Sequence, residues 1–181
     1  QVEGIVAAAS SALRGFANPP GRKVLILLAG GWPYDPAEYA VNDYNRTIIE
    51  PLLKRGDEIR TFEDYLRLED RLFAQLESKV YARTETGPGT ALMRYSKGSA
   101  SDPQGHEPDW NRSFEFPAAA PVGGVLLLHG MSDSPYSLRA LGEELNRRNY
   151  WVVGLRLPGH GTAPSGLLDV RWEDMAAVVQ L

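Results

Sequence analysis

Two short strings hold most of the residues that could do chemistry. His129-Gly130-Met131-Ser132 follows one apolar run, and Pro158-Gly159-His160-Gly161 follows another. A histidine in such a loop serves either as a general base or as a side chain that orders the loop by bonding to nearby backbone. A serine close by raises nucleophilic chemistry, yet Ser132 sits in Gly130-Met131-Ser132-Asp133-Ser134, and Gly-x-Ser-x-Gly occurs nowhere in the chain. The chain has three histidines and no cysteine, which excludes thiolate nucleophiles, disulfides and cysteine zinc sites. The third histidine, His106, lies beside Glu107 and Asp109, but this spacing matches no metal-ligand pattern. It reads as a solvated side chain, and no metal is expected.

The elements that must position these strings can be read from the apolar pattern. Val125 to Leu128 is a continuous apolar run bounded by glycine, as in a strand buried on both faces of a parallel sheet. Ser134 is placed to cap a helix with Pro135 in its first turn, and Leu138, Leu141 and Leu145 supply the buried face. Arg147 and Arg148 suit the helix C-terminus, and Asn149 suits a left-handed cap. A second strand, Trp151 to Leu155, follows directly. Strand, helix and strand at this spacing form a right-handed crossover with two parallel strands. Ligands bind beyond the carboxyl ends of such strands, where the loops His129 to Asp133 and Arg156 to Gly166 lie. A further helix starts near Asp169 or Val170, with Trp172, Met175, Ala176 and Val179 on its inner face.

Upstream, residues 1–20 are rich in Ala and Ser and end in Asn18-Pro19-Pro20-Gly21, a tether. Arg22-Lys23 then precede Val24 to Ala29 and Gly30-Gly31. This run is too short to span a bilayer, and it reads equally as a buried strand or as the remnant of a hydrophobic leader. From Asp35 to about Arg55, Val41, Tyr44, Ile48 and Leu52 recur at helical spacing, with a break at Glu50-Pro51 and a stop at Gly56. A second helix is capped by Thr61 with Asp64 as its reciprocal partner. It places Phe62, Leu66, Phe73, Leu76 and Val80 on one face and runs to about Arg83. Residues 86–110 carry heavy turn chemistry around one short strand, Leu92 to Tyr95, and Arg112 to Phe116 reads as another strand.

The composition, 43% hydrophobic and 23% charged, is that of a globular protein, with 18 glycines and 13 prolines favouring a mixed fold over a bundle. The net charge of −4 offers no footprint for nucleic acid. The chain begins at Gln1, and Asp174 to Leu181 read as helix with no stop signal, so it reads as a piece of a longer protein.

Together, Leu126 to Met131, Ser134 to Ser137, Arg156 to Gly161 and Trp172 to Met175 resemble the opening of an α/β-hydrolase. The nearest branch is the serine aminopeptidase and monoacylglycerol lipase-like (lysophospholipase-like) group. Less closely, residues 33–116 are similar to the N-terminal extension of bacterial hydrolases of this group that carry a hydrophobic leader. The resemblance implies an α/β fold whose mostly parallel sheet with flanking helices is preceded by a helical extension. The segments would be a tail over 1–32, a mainly helical extension over 33–117, and the start of the hydrolase domain over 118–181. It also implies an ester or amide carbonyl attacked by serine, with the oxyanion held by two backbone N–H groups, one of them that of Met131. His129 and Gly130 present that donor, and Gly130 is expected to permit positive φ. Pro158, Gly159, His160 and Gly161 shape the pocket wall, Gly159 and Gly161 by allowing a tight turn around His160. Gly161 and Gly166 otherwise read as ordinary turn residues.

Family order is serine, acid, histidine, so His129 and His160 precede the expected nucleophile and read as loop-ordering residues. Ser132 lies in the oxyanion loop and not at the nucleophile turn. Nucleophile, acid and base are expected beyond Leu181, leaving the 181-residue chain inactive by itself. The implied whole is a carboxylic ester hydrolase, an esterase or lipase acting on a small-molecule or lipid ester without cofactor. Two alternatives stand beside it: an aspartate nucleophile, as in dehalogenases and epoxide hydrolases, and a noncatalytic binding module. Localisation stays open between cytoplasm and cell envelope, and membrane association would run through the apolar run at 24–29.

Overall fold

The computed structural model describes the backbone of Val24–Leu28 and residues 59–131, 133–168 and 170–181. The helix expected over residues 35–55, Ser132 and Asp169 lie outside the described residues. The elements, in order, are β1 (Val24–Leu28), α1 (Phe62–Lys79), β2 (Phe114–Phe116), β3 (Gly123–Leu128), α2 (Tyr136–Arg147), β4 (Tyr150–Leu155) and α3 (Trp172–Val179). The strands form one sheet in the order β1-β3-β4-β2. β1 and β4 both run parallel to β3, and β2 is antiparallel to β4, giving a mixed sheet of α/β character. Val24–Leu28, open in the sequence between strand and leader remnant, runs as a strand, with Leu28 opposite Leu128.

The chain divides into two compact units. One holds β1 and Ser113–Arg156; the other holds the described residues up to Arg112 and Leu157–Leu181.

In the first unit the apolar run of β3 and the stripe of α2 meet as their spacing requires. Phe114, Val125, Leu127, Leu138, Leu141, Leu145 and Val152 form the buried cluster, with Phe116 and Tyr150 against it. Phe114 is wedged between two glycines. A Cβ on Gly154 would lie 2.2 Å from the ring and one on Gly142 2.9 Å from it, so both positions leave room for the aromatic plane. The Arg139 guanidinium lies 5.5 Å from the centre of the Phe114 ring and 5.0 Å from that of Phe116. Asn149 takes φ 66°, the left-handed cap expected of it, so that β4 begins directly after α2. The Asn146 side-chain amide donates to the carbonyls of Phe116 (3.1 Å), Pro117 (3.0 Å) and Tyr150 (3.0 Å).

In the second unit α1 starts as predicted. The Thr61 hydroxyl accepts from the Asp64 N–H at 3.1 Å, and the Asp64 carboxylate accepts from the Thr61 N–H at 3.0 Å. Such reciprocal caps satisfy two donors that the helix itself leaves open. The buried stripe is rotated from the expected one. Tyr65, Leu68, Leu72, Phe73 and Leu76 are buried, whereas Phe62 and Leu66 are only half-buried. The aromatic Phe62 drew the reading one position round the helix, away from Tyr65 and Leu68. α1 also stops at Lys79, and Tyr81–Arg83 continue as a short 3-10 turn.

Two further expectations are corrected here. Leu92 to Tyr95 is not a strand but part of a run of tight turns, with backbone bonds Met93 N–H to Thr90, Ser96 N–H to Met93 and Ser99 N–H to Ser96. Hydroxyls in this stretch compete for the backbone: Ser96 donates to the Glu85 carbonyl at 2.9 Å and Ser99 to the Met93 carbonyl at 2.6 Å. In α3, Trp172 is not on an inner face but 73% exposed, and Val178 is the buried residue of the helix. The helix begins at Trp172 rather than near Val170, its first turn held by the Asp174 carboxylate, which accepts from the Arg171 N–H at 2.9 Å.

Candidate functional site

β3 and β4 are parallel neighbours with Leu128 opposite Leu155, so His129 and Arg156 leave the sheet side by side at its carboxyl end. This is the edge at which ligands bind in open α/β sheets. His129 is buried, with Nδ1 2.8 Å from the Gly130 carbonyl oxygen. A hydrogen bond there requires the proton on Nδ1. The imidazole is thereby tied to its own loop, the arrangement expected of a loop-ordering residue. Met131 follows with 57% of its surface exposed, and the Asp133 N–H bonds back to the Gly130 carbonyl at 3.2 Å. The described glycines with positive φ are Gly87, Gly98, Gly159 and Gly161. Gly130 is not one of them, which corrects the conformational reason given for it.

The start of α2 also departs from expectation. Pro135, not Ser134, occupies the cap position, and it makes no side-chain cap bond. Asp133 instead organises the turn: its carboxylate accepts from the Ser134 N–H and from the Ser137 hydroxyl, each at 2.7 Å. Aspartate is as good a cap-forming residue as serine. The Asp133-Ser134-Pro135 string carried that signal, and Pro135 in the first turn drew the reading to Ser134.

The loop after β4 belongs to the second unit from Leu157 onward. His160 is buried, its N–H donates to the Leu157 carbonyl at 3.1 Å, and its Nδ1 lies 2.9 Å from the Pro158 carbonyl oxygen. Gly159 and Gly161 each take φ 75°, the turn geometry expected around His160. At Gly159 space imposes the same choice, because a Cβ would lie 2.4 Å from Val170 Cγ2 and 2.6 Å from the Gly166 carbonyl oxygen. Gly166 is more than an ordinary turn residue. Its own Cβ would lie 3.0 Å from the Gly159 oxygen and 3.2 Å from Thr162 Oγ1, so two stretches of backbone pack directly on one another. The Tyr95 hydroxyl donates to the Thr162 carbonyl.

Two residues of this region escaped the sequence reading. Arg156 is wholly buried at the carboxyl end of β4, and its N–H bonds to the Ser113 hydroxyl oxygen at 2.8 Å. A basic residue after a strand reads as a solvated end, and nothing in the pattern marks it as interior. Tyr95 was assigned to a strand, and only the fold shows where its hydroxyl goes.

His106 stacks on Trp110 with ring centres 3.4 Å apart and planes 5° from parallel. Asp109 has its carboxyl raised above the ordinary range, chiefly by burial. Among the described residues no group of histidines and carboxylates could hold a metal ion, and no helix is long and apolar enough to cross a membrane.

No family model matches the chain, and no solved structure matches it. Among curated proteins, it is 39% identical over 57 residues to the thermostable monoacylglycerol lipase of Bacillus sp. (strain H-257). The aligned stretch covers 32% of this chain and 23% of that lipase, so the chain spans less than a quarter of its relative's length. The likeness is partial, and it is to a lipase.

Proposed function

We propose that this chain is the N-terminal part of an α/β-hydrolase that cleaves carboxylic esters, of the esterase or acylglycerol lipase type. The observation that carries the reading is the β3, α2, β4 crossover with His129-Gly130-Met131 at its carboxyl edge, in a chain that is partly similar to a monoacylglycerol lipase. A serine from sequence beyond Leu181, activated by a histidine and acid from the same region, attacks the ester carbonyl. The charge that develops on oxygen is met by the Met131 N–H and a second N–H beside the serine. Alcohol leaves, and water resolves the acyl-enzyme. Buried His129 holds the loop that presents Met131.

The protein expressed from its complete coding sequence is expected to label with a fluorophosphonate and to hydrolyse p-nitrophenyl esters, and the 181-residue chain to do neither. Within the longer form, Met131→Pro removes the donor and should lower kcat by about 10²- to 10³-fold, whereas Met131→Ala keeps the N–H and stays within a few-fold of the parent. Labelling of a serine in the 181-residue chain, or equal activity of the two variants, would overturn the assignment.

A further inference from the structure

The peptide group between Gly130 and Met131 is held by its oxygen. The Gly130 carbonyl accepts from two donors, the His129 Nδ1–H at 2.8 Å and the Asp133 N–H at 3.2 Å, one for each lone pair of the oxygen. The peptide is trans, so its N–H points opposite to its C=O. Fixing the oxygen therefore fixes the direction of the Met131 N–H, away from both donors. Among the described residues no backbone acceptor meets that N–H, and Met131 is exposed. Asp133 is itself braced. Its carboxylate accepts from the Ser134 N–H and from the Ser137 hydroxyl, each at 2.7 Å, and Ser137 lies in the first turn of α2. That helix is packed through Leu138, Leu141 and Leu145 into one core cluster with Val125, Leu127 and Val152. The contacts thus run from the core through α2, Asp133 and the Gly130 oxygen to a single N–H, wholly within the first unit.

We propose that Asp133 is a positioning residue: with His129 it locks the Gly130 carbonyl, and so presents the Met131 N–H to the developing oxyanion before any substrate arrives. The use of that N–H rests on the hydrolase reading above; the lock on the peptide does not. A flip of the peptide breaks both bonds to the Gly130 oxygen and turns a carbonyl dipole toward the place where the N–H points. A negative oxygen would then meet repulsion instead of a donor. Donors fixed in advance cost no reorganisation at the moment of reaction, which is where such a lock acts. Asp133 does this without touching the reacting atoms.

Asp133→Ala tests this in the protein from the complete coding sequence, since it keeps the N–H at this position and removes the carboxylate that braces it. Protection of the amide at position 133 against exchange is expected to fall about tenfold while that of β4 stays unchanged. With active sites counted by fluorophosphonate taken to completion, kcat per site for a p-nitrophenyl ester should fall about tenfold and KM stay within about twofold, the pattern of a donor used in the transition state. A brace that served folding alone would lower the count of active sites and leave kcat per site unchanged. Asp133→Asn keeps an acceptor for the Ser134 N–H and should hold both readouts within about twofold of the parent. Ser137→Ala removes one of the two bonds to the carboxylate and should shift both about threefold, which carries the test if Asp133→Ala does not fold. Unchanged protection overturns the proposal outright. Lost protection with unchanged kcat per site overturns the positioning half. A parent protein that neither labels nor turns over ester overturns the hydrolase reading and the positioning half with it, while protection at position 133 still decides whether Asp133 locks the peptide.

Discussion

The crossover unit and the turn-rich stretch from Glu85 to Asn111 hold their shapes by different means. In the first, seven apolar side chains from β2, β3, α2 and β4 close on one another, and the backbone pairs in the ladder and the helix, tied together by the Asn146 amide. In the second, Thr90, Ser96, Ser99, Asp102 and Asp109 bond to backbone groups nearby and convert a chain without a partner strand into successive tight turns. Burial is additive and tolerant of detail, whereas a buried carboxylate with three donors depends on every one of them.

That contrast has measurable edges. Leu127→Ala in the crossover unit, where the side chain is wholly buried, should cost about 2–5 kcal/mol in urea unfolding. A loss under about 1 kcal/mol would mean that this core is looser than its burial suggests. Asp102→Ala leaves two N–H groups and a phenol without their acceptor and should cost about 1–3 kcal/mol. Amide exchange at Gly98 and Gln104 should quicken while that of β3 does not; equal quickening in both places would erase the distinction. The smallest effect is expected at Asp64, whose carboxyl is held at about 2 by the Arg60 N–H first, then by the Thr61 hydroxyl and Arg67. Because this lies below the ordinary 3.8, the cap contributes fully above that value and is lost as pH falls from about 4 to 2. Helical circular dichroism should decline over that window, and Asp64→Asn should remove the step.

Legibility in the sequence followed the same division. The β3, α2, β4 unit was readable because its apolar residues repeat with the period of the element they build, and Asn149 marked the joint. The cap of α1 was readable because Thr61 and Asp64 act on neighbours three residues apart. The Leu92 to Tyr95 stretch misled because an apolar pair with a tyrosine two residues on carries strand propensity, and propensity does not reveal whether a partner strand exists. In the candidate site, the His129 loop could be placed at the carboxyl edge from order alone. The contacts of Tyr95 and the burial of Arg156 could not, since they join positions far apart in the chain.

Asn146 joins the exit of β2 to the start of β4 through three carbonyl oxygens, at the end of the sheet opposite His129. One side chain thus rivets the short edge strand to its neighbour at this rim, where a longer ladder would otherwise be needed.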